Sequence, residues 1–521
     1  MNNSYCTVID SNFVVGAMIL RESIARSEFK NPIREPDTPA TVPGYCMEDA
    51  DIHPNSLRKL RDESIPFTVI VGQNFSSMDR GFLNFYGIDN IISMPDIKNP
   101  YTESGSRVHS AKDIKIRFNN AFNKLHIWSL DQFDKLIYLD SDILTVRPIH
   151  QLFKVDLGMG EVGVALDLGY NGKIGITKWN SGVMVVRPEV ALHKKLLDNT
   201  LKYPSLDGSD QGYLVSFFNQ SKGIKQIDQN FNFLKRRSNE WAAVGREVCN
   251  IHYVGKNKPW FDVHRAKKHR RDEILGEELH HQHLYSTYLT AYSSFVTDRW
   301  DEILGVELHH LNNLNQKSRE SSKAVEGGLM YKQNAKIKDI DRLNPFFETK
   351  RYKLYHLAGL PSVKTVLEIG INEGHGALIM FKANPKLKYY GFDIGEHEYV
   401  EPSVEYLKSL GYNITYIKGN SLVTVPNYAE GVYEDSPMKF DLMHIDGCHE
   451  PGAAKRDILN CRRLAHEDTI IVFDDINVAG RIGKPLADMW AGLIKEGIIE
   501  EIDDFNMAPQ SWDSRIGKYC F

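Results

Sequence analysis

Two carboxylates stand two residues apart at the end of an apolar run. The run KLIYL begins at Lys135, and Asp140 and Asp142 follow it. Residues two apart on a β-strand face the same side, so these acids would repel each other unless a cation lay between them. Hard oxygen ligands suit Mg²⁺ or Mn²⁺. Taken alone, the pair favours a metal site and an acidic turn after a strand about equally.

A second group of acids lies near the other end of the chain. Asp446 ends the run FDLMHID, and Asp474 and Asp475 end the run TIIVFDD. The spacing fits a strand, a crossover helix and another strand, and right-handed crossovers place such strand ends at one edge of a sheet. Three carboxylates there need a cation, for which Mg²⁺ is the natural partner. His449, three residues after Asp446, is either a general base or a structural hydrogen-bond partner of these acids.

The runs around both groups of acids predict two α/β domains. Short apolar runs alternate with helical patterns in residues 1–262 and again in residues 341–521. In the second stretch the alternation is that of a doubly wound parallel sheet. Residues 30–66 are rich in proline and charge and indicate an inserted loop. Residues 263–340 then form a connector between the two domains.

The connector has a short internal repeat. DEILGEELHH begins at Asp272, and DEILGVELHH begins at Asp301. Two copies are too few for a solenoid, and adjacent histidines point to different helix faces. A duplicated helical segment is therefore favoured over a metal site. The polar stretch that ends at Gly328 is typical of a linker.

The composition is that of an ordinary globular protein. Of the 521 residues, 42% are hydrophobic and 25% are charged, and the net charge of −5 gives no sign of a nucleic-acid partner. No apolar run reaches the roughly 18 residues that a membrane span needs. The first residues lack the basic stretch and cleavage site of a signal peptide. The six cysteines are scattered, which indicates thiols in a reducing compartment and predicts a cytoplasmic protein.

Other polar motifs share the first domain with Asp140 and Asp142. WNSG, SLDGSDQG and HYVGKNKPW follow one another along the chain, and each is a weak signal alone. His252 could complete a metal shell with the two aspartates, and Lys124 and Lys258 offer positive charge for phosphate. Together these residues fit a Mn²⁺-bound nucleoside diphosphate.

These motifs resemble those of the glycogenin-like glycosyltransferases, the retaining enzymes of glycosyltransferase family 8, which have the GT-A fold. The resemblance covers residues 1–262 and includes the stretches NKLHIWSLDQFDKLIYLDSDIL, WNSGVMVVRP, LDGSDQG and HYVGKNKPW. It implies a UDP-sugar donor and a Mn²⁺ ion held by Asp140, Asp142 and His252.

The same resemblance assigns the other candidates to parts of the donor. It implies uridine contacts from Thr7, Ile9, Asp10 and Phe13, diphosphate contacts from Lys124, Lys258 and the backbone of Gly255, and sugar contacts from Asn180, Ser181, Asp207, Asp210 and Gln211. Asp210 is a candidate for positioning the sugar during catalysis, and no residue is an obvious covalent nucleophile. Glycogenin glucosylates one of its own tyrosines, in the stretch that corresponds to the residues between Tyr213 and Tyr253 of this chain. That stretch contains no tyrosine here. We therefore expect a separate glycan or small-molecule acceptor.

The second domain begins with a glycine-rich turn. TVLEIGINEGHG carries Glu368, Gly370 and Asn372 on a strand and the turn after it, where the backbone can approach a ligand closely. Asn372 stands where the dinucleotide pattern GxGxxG has a glycine. Asp393 ends the next strand and either binds a ribose diol or caps a helix. Asn420 follows the third strand.

This domain resembles the class I S-adenosylmethionine-dependent methyltransferases. The motifs IDGCH and VFDD are similar to those of the metal-dependent O-methyltransferases of the catechol and macrolide-sugar types. The resemblance implies a Mg²⁺ ion held by Asp446, Asp474 and Asp475. It also implies S-adenosylmethionine held around Glu368, Gly370, Asn372, Asp393 and Asn420. In the sugar type, a histidine at the place of His449 is the general base.

The combined patterns favour a bifunctional enzyme. We expect a glycosyltransferase that uses a UDP-sugar and a glycan or glycoside acceptor, joined by a helical connector to an O-methyltransferase that acts on a sugar hydroxyl. Two alternatives stay open. The methyltransferase acts on a phenol or catechol instead, or one of the domains is only a binding scaffold. The complete acid sets argue against a scaffold, because it gains nothing from crowded carboxylates.

Overall fold

The computed structural model describes eight stretches of the chain, which are residues 2–28, 66–169, 172–255, 258–260, 282–321, 348–476, 483–502 and 513–521. Most of the predicted insertion, the repeat copy that begins at Asp272 and the end of the predicted linker lie outside these residues. The chain divides into two compact units. The first is Met1–Tyr292, and the second takes in Ser293–Asp504 and Pro509–Phe521.

The first unit is described from its elements in chain order. Its strands are β1 (Asn3–Ile9), β2 (Phe67–Gly72), β3 (Ile91–Met94), β4 (Lys135–Leu139), β5 (Ile143–Thr145), β6 (Val162–Leu168), β7 (Ile174–Val186), β8 (Ile224–Gln226), β9 (Phe233–Leu234) and β10 (Asn250–His252). Its α-helices are α1 (Val14–Glu28), α2 (Ser77–Phe85), α3 (Ala111–Arg117), α4 (Val190–Asp198), α5 (Asp210–Gln220) and α6 (Trp241–Val244). Short 3₁₀ helices occur at Ser11–Phe13, Ala121–Ser129, His150–Lys154, Gln229–Phe231 and Lys235–Glu240.

Two sheets meet where the first pair of acids lies. The larger sheet has the strand order β3-β2-β1-β4-β7-β6-β8, and the smaller has the order β5-β10-β9. β4 pairs in parallel with β1 and antiparallel with β7. It is a nearly continuous apolar run because it lies between two neighbouring strands, and four of its five residues are buried. Because β4 ends at Leu139 and β5 begins at Ile143, the chain passes from one sheet to the other through Asp140 and Asp142.

The second unit has one seven-stranded sheet. Its strands are β11 (Thr365–Ile369), β12 (Lys388–Asp393), β13 (Asn413–Lys418), β14 (Phe440–Ile445), β15 (Ala465–Ile476), β16 (Ile499–Glu501) and β17 (Asp513–Tyr519). The helices from the unit boundary onward are α7 (Gln282–Ser321), α8 (Glu348–Ala358), α9 (His375–Ala383), α10 (Val400–Ser409), α11 (Ser421–Ala429), α12 (Pro451–Arg462) and α13 (Gly483–Lys495).

The order of the second sheet is β13-β12-β11-β14-β15-β17-β16. β11 to β15 run parallel, and β17 is antiparallel to both of its neighbours. The strand order reverses between β11 and β14, and ligands of doubly wound sheets bind at such a switch point. The predicted candidates Gly370 and Asp446 directly follow these two strands.

α7 carries residues of both units, since the unit boundary falls inside it. In the first unit, the Tyr288 ring lies 5.1 Å from the ring of Tyr253 and 5.8 Å from that of Trp260. In the second unit, Trp300 Nε1 donates to Glu348 Oε2 at 2.7 Å. The second copy of the sequence repeat lies within α7 and has a kink at Gly305, where φ is 57°.

The predicted α/β architecture is confirmed, with a mixed sheet in the first unit and a doubly wound sheet in the second. α7 lies within the predicted connector, residues 263–340, whose bounds stay a prediction. Among the helices in the described stretches, none combines the length and the apolar character that crossing a membrane requires.

Candidate active sites

Strand pairing brings the first predicted metal ligands together. β10 pairs with β5 so that His252 lies opposite Ile143, the residue after Asp142. His252 Nε2 lies 3.2 Å from Asp142 Oδ1 and 3.6 Å from Asp140 Oδ2. The three side chains form a group whose donor atoms could hold one metal ion. A histidine about 110 residues away along the chain thus joins the acids through the small sheet.

A chain of hydrogen bonds fixes the orientation of the His252 ring. The backbone N–H of Gly182 donates to Asn180 Oδ1 at 2.9 Å, which identifies that atom as the amide oxygen. Asn180 Oδ1 also accepts from Asn232 Nδ2 at 2.8 Å, so Asn232 Oδ1 is free to accept from His252 Nδ1 at 2.9 Å. Because Nδ1 then carries the proton of a neutral ring, the lone pair is on Nε2, which faces the two aspartates.

Two glycines make room for this cluster. A Cβ on Gly182 would collide with the His252 ring, and a Cβ on Gly16 of α1 would collide with the carbonyl oxygen of Ser141. Gly16 therefore lets α1 approach the turn between Asp140 and Asp142. Neither glycine has the backbone conformation that only glycine adopts readily, so close approach is the reason for each.

A buried lysine connects the metal-ligand cluster to the predicted sugar residues. Lys124 Nζ lies 3.0 Å from Asp140 Oδ1, 2.7 Å from Asp210 Oδ2 and 3.2 Å from Ser181 Oγ. Burial alone would lower the pKa of Lys124, but Asp140 and Asp210 raise it above its usual value. Tyr138 donates its hydroxyl to Asp140 Oδ1 at 2.6 Å. Lys124 is thus held as a cation within the site.

A second lysine lies on the other aspartate. Lys258 forms an ion pair with Asp142 and donates to the carbonyl of Tyr253 at 3.2 Å. Burial alone would raise the pKa of Asp142, but the ammonium group of Lys258 holds it well below its usual value. Lys258 Nζ also lies 5.9 Å from the centre of the Phe13 ring, whose edge-on partner is Trp260. Gly255, nearby in sequence, has a φ of 105°.

The remaining donor candidates of the first unit are placed less directly. Gln211 accepts from the Ser181 N–H at 3.2 Å, so it adjoins the cluster. Asp207 is held by Ser205 and Ser209 in the loop before α5. Asp10 caps the 3₁₀ helix after β1 by accepting from Asn12 N–H at 2.9 Å. Thr7 and Ile9 are buried in β1. Their donor contacts stay predictions.

The second group of acids gathers at the end of β14 and β15. Asp446 follows β14, and Asp474 and Asp475 lie near the end of β15, which pairs in parallel with β14. Asp446 N–H donates to the carbonyl of Ile369 at 2.9 Å, and a Cβ on Gly370 would collide with the carbonyl of Asp446. Gly370, with φ of 91°, therefore allows the glycine-rich turn to lie directly beside the acids.

The structure adds a lysine that the sequence did not predict at this site. Lys350 of α8 has only 4% of its side chain exposed, and its Nζ lies 2.7 Å from Asp474 Oδ1 and 2.6 Å from Asp475 Oδ1. The acids are therefore neutralised in part by the protein itself. The sequence offered no signal for this contact, because ETKRYKLYHLA has charges on every side and is typical of an exposed helix.

His449 lies at the outer side of the acids. Its Nε2 is 2.9 Å from Asp475 Oδ2 and 3.8 Å from Asp446 Oδ1, and nearly half of the side chain is exposed. Asp446 and Asp475 raise the pKa of His449 to about 10. One donor atom each from Asp446, His449 and Asp475 could hold a metal ion together.

A buried ion-pair network lies beneath the acids. His444 Nδ1 is 2.6 Å from Glu368 Oε1, and His444 Nε2 is 3.7 Å from Asp474 Oδ2. The Tyr389 hydroxyl also donates to Glu368. Burial alone would lower the pKa of His444, but Asp474 and Glu368 raise it to about 10. His444 was missed, although it precedes Asp446 by two residues, the same spacing that drew attention to Asp140 and Asp142.

Three cofactor candidates of the second unit are held by hydrogen bonds to the backbone or to a neighbour. Asp393 accepts from Asn372 N–H at 3.0 Å and from Gly395 N–H at 2.8 Å, so it lies against the glycine-rich turn. Asn372 has φ of 50° and accepts from the Tyr399 hydroxyl at 2.7 Å. Asn420 caps α11 by accepting from Leu422 N–H at 3.0 Å. Their contacts with a cofactor stay predictions.

The fold and the two sites define a chain with two different transferase domains. Residues 6–264 match the family model Glycosyl transferase family 8, and residues 367–476 match the model Methyltransferase domain. The chain therefore carries one stretch similar to the family 8 glycosyltransferases and a second stretch similar to methyltransferases, as the sequence motifs predicted.

Relatives of the first domain include two glycogenins. Glycogenin-2 of Homo sapiens is 29% identical over 231 residues, which are 43% of this chain and 42% of the relative. Glycogenin-1 of Oryctolagus cuniculus is 31% identical over 166 residues, which are 30% of this chain and 47% of the relative. The chain thus spans less than half the length of these relatives. The solved structure of the methyltransferase PaMTH1 of Podospora anserina matches 40% of this chain and 88% of its own, with 16% identity and a TM-score of 0.30.

Proposed function

We propose that the first unit transfers a sugar, with retention of configuration, from a UDP-sugar to a separate glycan or small-molecule acceptor. The observation that carries this proposal is the grouping of Asp140, Asp142 and His252 with two lysines on those same aspartates. This grouping offers ligands for a divalent ion and cations for phosphate at a single place. The glycogenin relatives support the donor class.

The donor set of the first unit fits Mn²⁺, because it combines two carboxylates with an imidazole nitrogen whose lone pair faces them. Asp140, Asp142 and His252 would hold the ion, which when bound stabilises the charge of a leaving diphosphate. Lys124 and Lys258 would add positive charge where that negative charge develops. Asp210, oriented by Lys124 and Ser181, would position the sugar.

The test is turnover of a panel of UDP-sugars with Mn²⁺, with and without extracts that contain acceptors. We expect release of UDP from at least one donor and loss of that release after exhaustive chelation. Turnover that chelation leaves unchanged would contradict the proposal. A product of the opposite anomeric configuration would contradict retention alone.

We propose further that the second unit transfers a methyl group from S-adenosylmethionine to a sugar hydroxyl. Gly370, Asn372 and Asp393 meet at the switch point of the sheet, where the cofactor would lie. Glu368 lies beneath this turn and Asn420 follows the third strand. Carboxylate oxygens beside the site fit Mg²⁺, which Asp446, Asp474 and Asp475 would hold and which when bound lowers the pKa of a hydroxyl.

His449 would take the proton of the hydroxyl. Its exposed Nε2 side faces Asp446 and Asp475, and these acids would stabilise the imidazolium that forms. The ring must be neutral before each transfer, and Asp446 and Asp475 raise its pKa while no metal is bound to them. We therefore expect methyl transfer to accelerate as the pH rises through the neutral range.

A screen with S-adenosylmethionine tests this second activity. Glycans, glycosides, phenols and catechols are offered as acceptors, and methylated products are identified by mass spectrometry. Methylated sugars would support the proposal, and products confined to phenols or catechols would favour the other open alternative. If the glycosylated product is methylated no better than the bare acceptor, the two reactions are not successive steps on one glycan.

A cytoplasmic location accompanies this proposal. It rests on the thiol chemistry expected from the sequence, and the five cysteines in the described stretches, Cys6, Cys249, Cys448, Cys461 and Cys520, are free.

A further inference from the structure

The carboxylates at the end of β15 have an unusual cation beside them. Lys350 is the third residue of α8, far from β15 in sequence, and its ammonium group lies within 2.7 Å of both Asp474 and Asp475. Its side chain is almost fully buried. A buried ammonium group needs hydrogen-bonded anions around it, and a pair of buried carboxylates needs a cation, so each removes the cost of the other.

The backbone at this point is strained. Asp475 has a φ of 57°, in the left-handed region that is unfavourable for a non-glycine residue. Its N–H donates to Asp474 Oδ1 at 2.9 Å, and its own carboxylate turns toward Lys350 on one side and His449 on the other. Lys350 therefore lies where it can hold both aspartates in this conformation.

Asp446, in contrast, has about a third of its side chain exposed and faces the outer side of the cluster with His449. The Oδ1 atoms of Asp474 and Asp475 are directed to Lys350. Two groups of donor atoms around them could each hold an ion, an inner one of His444, Asp446 and Asp474 and an outer one of Asp446, His449 and Asp475. A divalent ion at the outer position would share Asp475 with the ammonium group, and two cations on one carboxylate weaken each other's binding.

We infer that Lys350 is a positioning residue of the methyl-transfer site, a built-in counter-ion that holds Asp474 and Asp475 in place without a metal and competes with a divalent ion for them. The inference rests on the proposed function for the role of these acids. It goes beyond that function because the positive charge beside Asp474 and Asp475, which was expected from the metal alone, comes in part from Lys350.

The experiment measures Mn²⁺ binding and thermal unfolding of the full chain, so its readouts do not depend on methyl transfer. All proteins carry Asp140→Asn, which weakens the first metal cluster at its more exposed aspartate. Mn²⁺ affinity is measured by electron paramagnetic resonance, and unfolding is followed in excess chelator and in saturating Mn²⁺. Adding Asp446→Asn assigns any tight binding to the second cluster.

Lys350→Met keeps the length of the side chain and removes its charge. We expect this variant to bind Mn²⁺ at least about tenfold more tightly, because one positive charge has left the cluster. In chelator its melting temperature should fall by about 5 °C or more, and Mn²⁺ should restore most of the loss. Lys350→Arg keeps the charge and should resemble the parent protein in both measurements.

Lys353→Met is the matched control. Lys353 is buried on the same helix, and its Nζ donates to the carbonyl of Ser514 at 2.7 Å. Its loss should lower the melting temperature equally in chelator and in Mn²⁺ and leave Mn²⁺ affinity unchanged. Should Lys350→Met fail to fold, the double variant Lys350→Met/Asp474→Asn removes one charge of each sign and should fold without the gain in Mn²⁺ affinity.

The inference is overturned if Lys350→Met binds Mn²⁺ as the parent does and unfolds at the same temperature with and without the ion. It is also overturned if Lys350→Arg behaves like Lys350→Met, since charge would then not be what matters. Failure of the proposed function looks different. In that case no acceptor is methylated, while the charge-dependent differences between the lysine variants persist.

Discussion

His252 in the first unit and His444 in the second are both buried and both have one ring nitrogen directed at an aspartate. They differ in what lies on the other nitrogen. For His252 it is the amide of Asn232, and for His444 it is the carboxylate of Glu368. The amide oxygen of Asn232 accepts a hydrogen bond from Nδ1 of His252, and Nε2 is the ring nitrogen that faces the aspartates. A second carboxylate favours the imidazolium.

The lysines of the two units also differ in how they contact the aspartates. In the first unit Lys124 and Lys258 lie one on each aspartate, at the places where a diphosphate would need positive charge. In the second unit one lysine bridges two aspartates. Similar residues therefore build two different arrangements, one with a lysine on each aspartate and one with a single lysine shared by two aspartates. The two arrangements also differ in the residue behind the histidine, which is Asn232 in the first unit and Glu368 in the second.

Replacing one carboxylate of the first cluster should have the largest effect and should separate the two units. Asp142→Asn removes a proposed metal ligand and leaves Lys258 without its anion, so we expect sugar transfer to fall by about 1,000-fold or more. Methyl transfer should be unchanged. The check is turnover of UDP-sugar and of S-adenosylmethionine in one preparation. Full turnover of UDP-sugar in this variant would refute the assignment of the first cluster.

Alanine at the glycine of each site should disturb that site alone. In Gly182→Ala the new methyl group displaces the His252 ring, and we expect Mn²⁺ affinity of the first unit to fall by about 10–100-fold. In Gly370→Ala the methyl group meets the Asp446 carbonyl, and binding of S-adenosylmethionine should fall instead. Calorimetry of both ligands with both variants provides the comparison. Gly492→Ala, where a Cβ meets nothing nearby, is the control.

Exchanging the amide and carboxyl groups that lie behind the two histidines should make each histidine behave more like the other. Glu368→Gln removes the carboxylate behind His444, so the pKa of His444 should fall from about 10 toward its ordinary value. Asn232→Asp places a carboxylate behind His252, and Mn²⁺ binding should then depend more strongly on pH, because protons compete more strongly for the more basic ring. NMR titration of the ring protons measures the first change, and Mn²⁺ titration measures the second. Unchanged values in both variants would mean that the rear partner does not set the charge of either ring.

Replacing Asp457, a buried aspartate on α12, should have the smallest effect, and that effect is on the free energy of unfolding. Asp457 on α12 is 1% exposed, its Oδ1 has no hydrogen-bond partner, and burial raises its pKa to about 6. The folded state holds the carboxyl proton of Asp457 more tightly than the unfolded state does. The free energy of unfolding should therefore decrease as the pH rises from 4 to 6. Asp457→Asn should remove that decrease and stabilise the second unit at pH 7 by about 1–2 kcal/mol. Urea unfolding at several pH values tests the sign, and a slope that persists in the variant would show that another group causes it.

Much of this arrangement was predictable because it follows from regular patterns. Alternating apolar runs predict both sheets, and acids at strand ends predict where each site lies, since parallel strands bring their ends to one edge. Asp140, Asp142 and His252 do come together, whereas Asp446 groups with Asp474 and His444 on one side and with Asp475 and His449 on the other.

The partners behind the ligands were not predictable in the same way. Asn232 lies in an irregular stretch, and Lys350 lies on a helix whose charges look exposed in sequence. Their roles depend on which elements pack together across long separations in the chain. Asn180 illustrates the difference, since its motif was recognised for a sugar contact while its amide oxygen is directed toward Asn232.

The position of β17 has a consequence for biosynthesis. This strand lies between β15 and β16, both of which precede it in the chain. On the ribosome, β15 therefore keeps an open edge until residues 513–519 have emerged, whereas the strands of the first unit, which end at His252, emerge much earlier. A nascent chain thus carries the strands of the first unit while the strand bearing Asp474 still waits for its neighbour, and we expect chaperones to engage the chain during that interval.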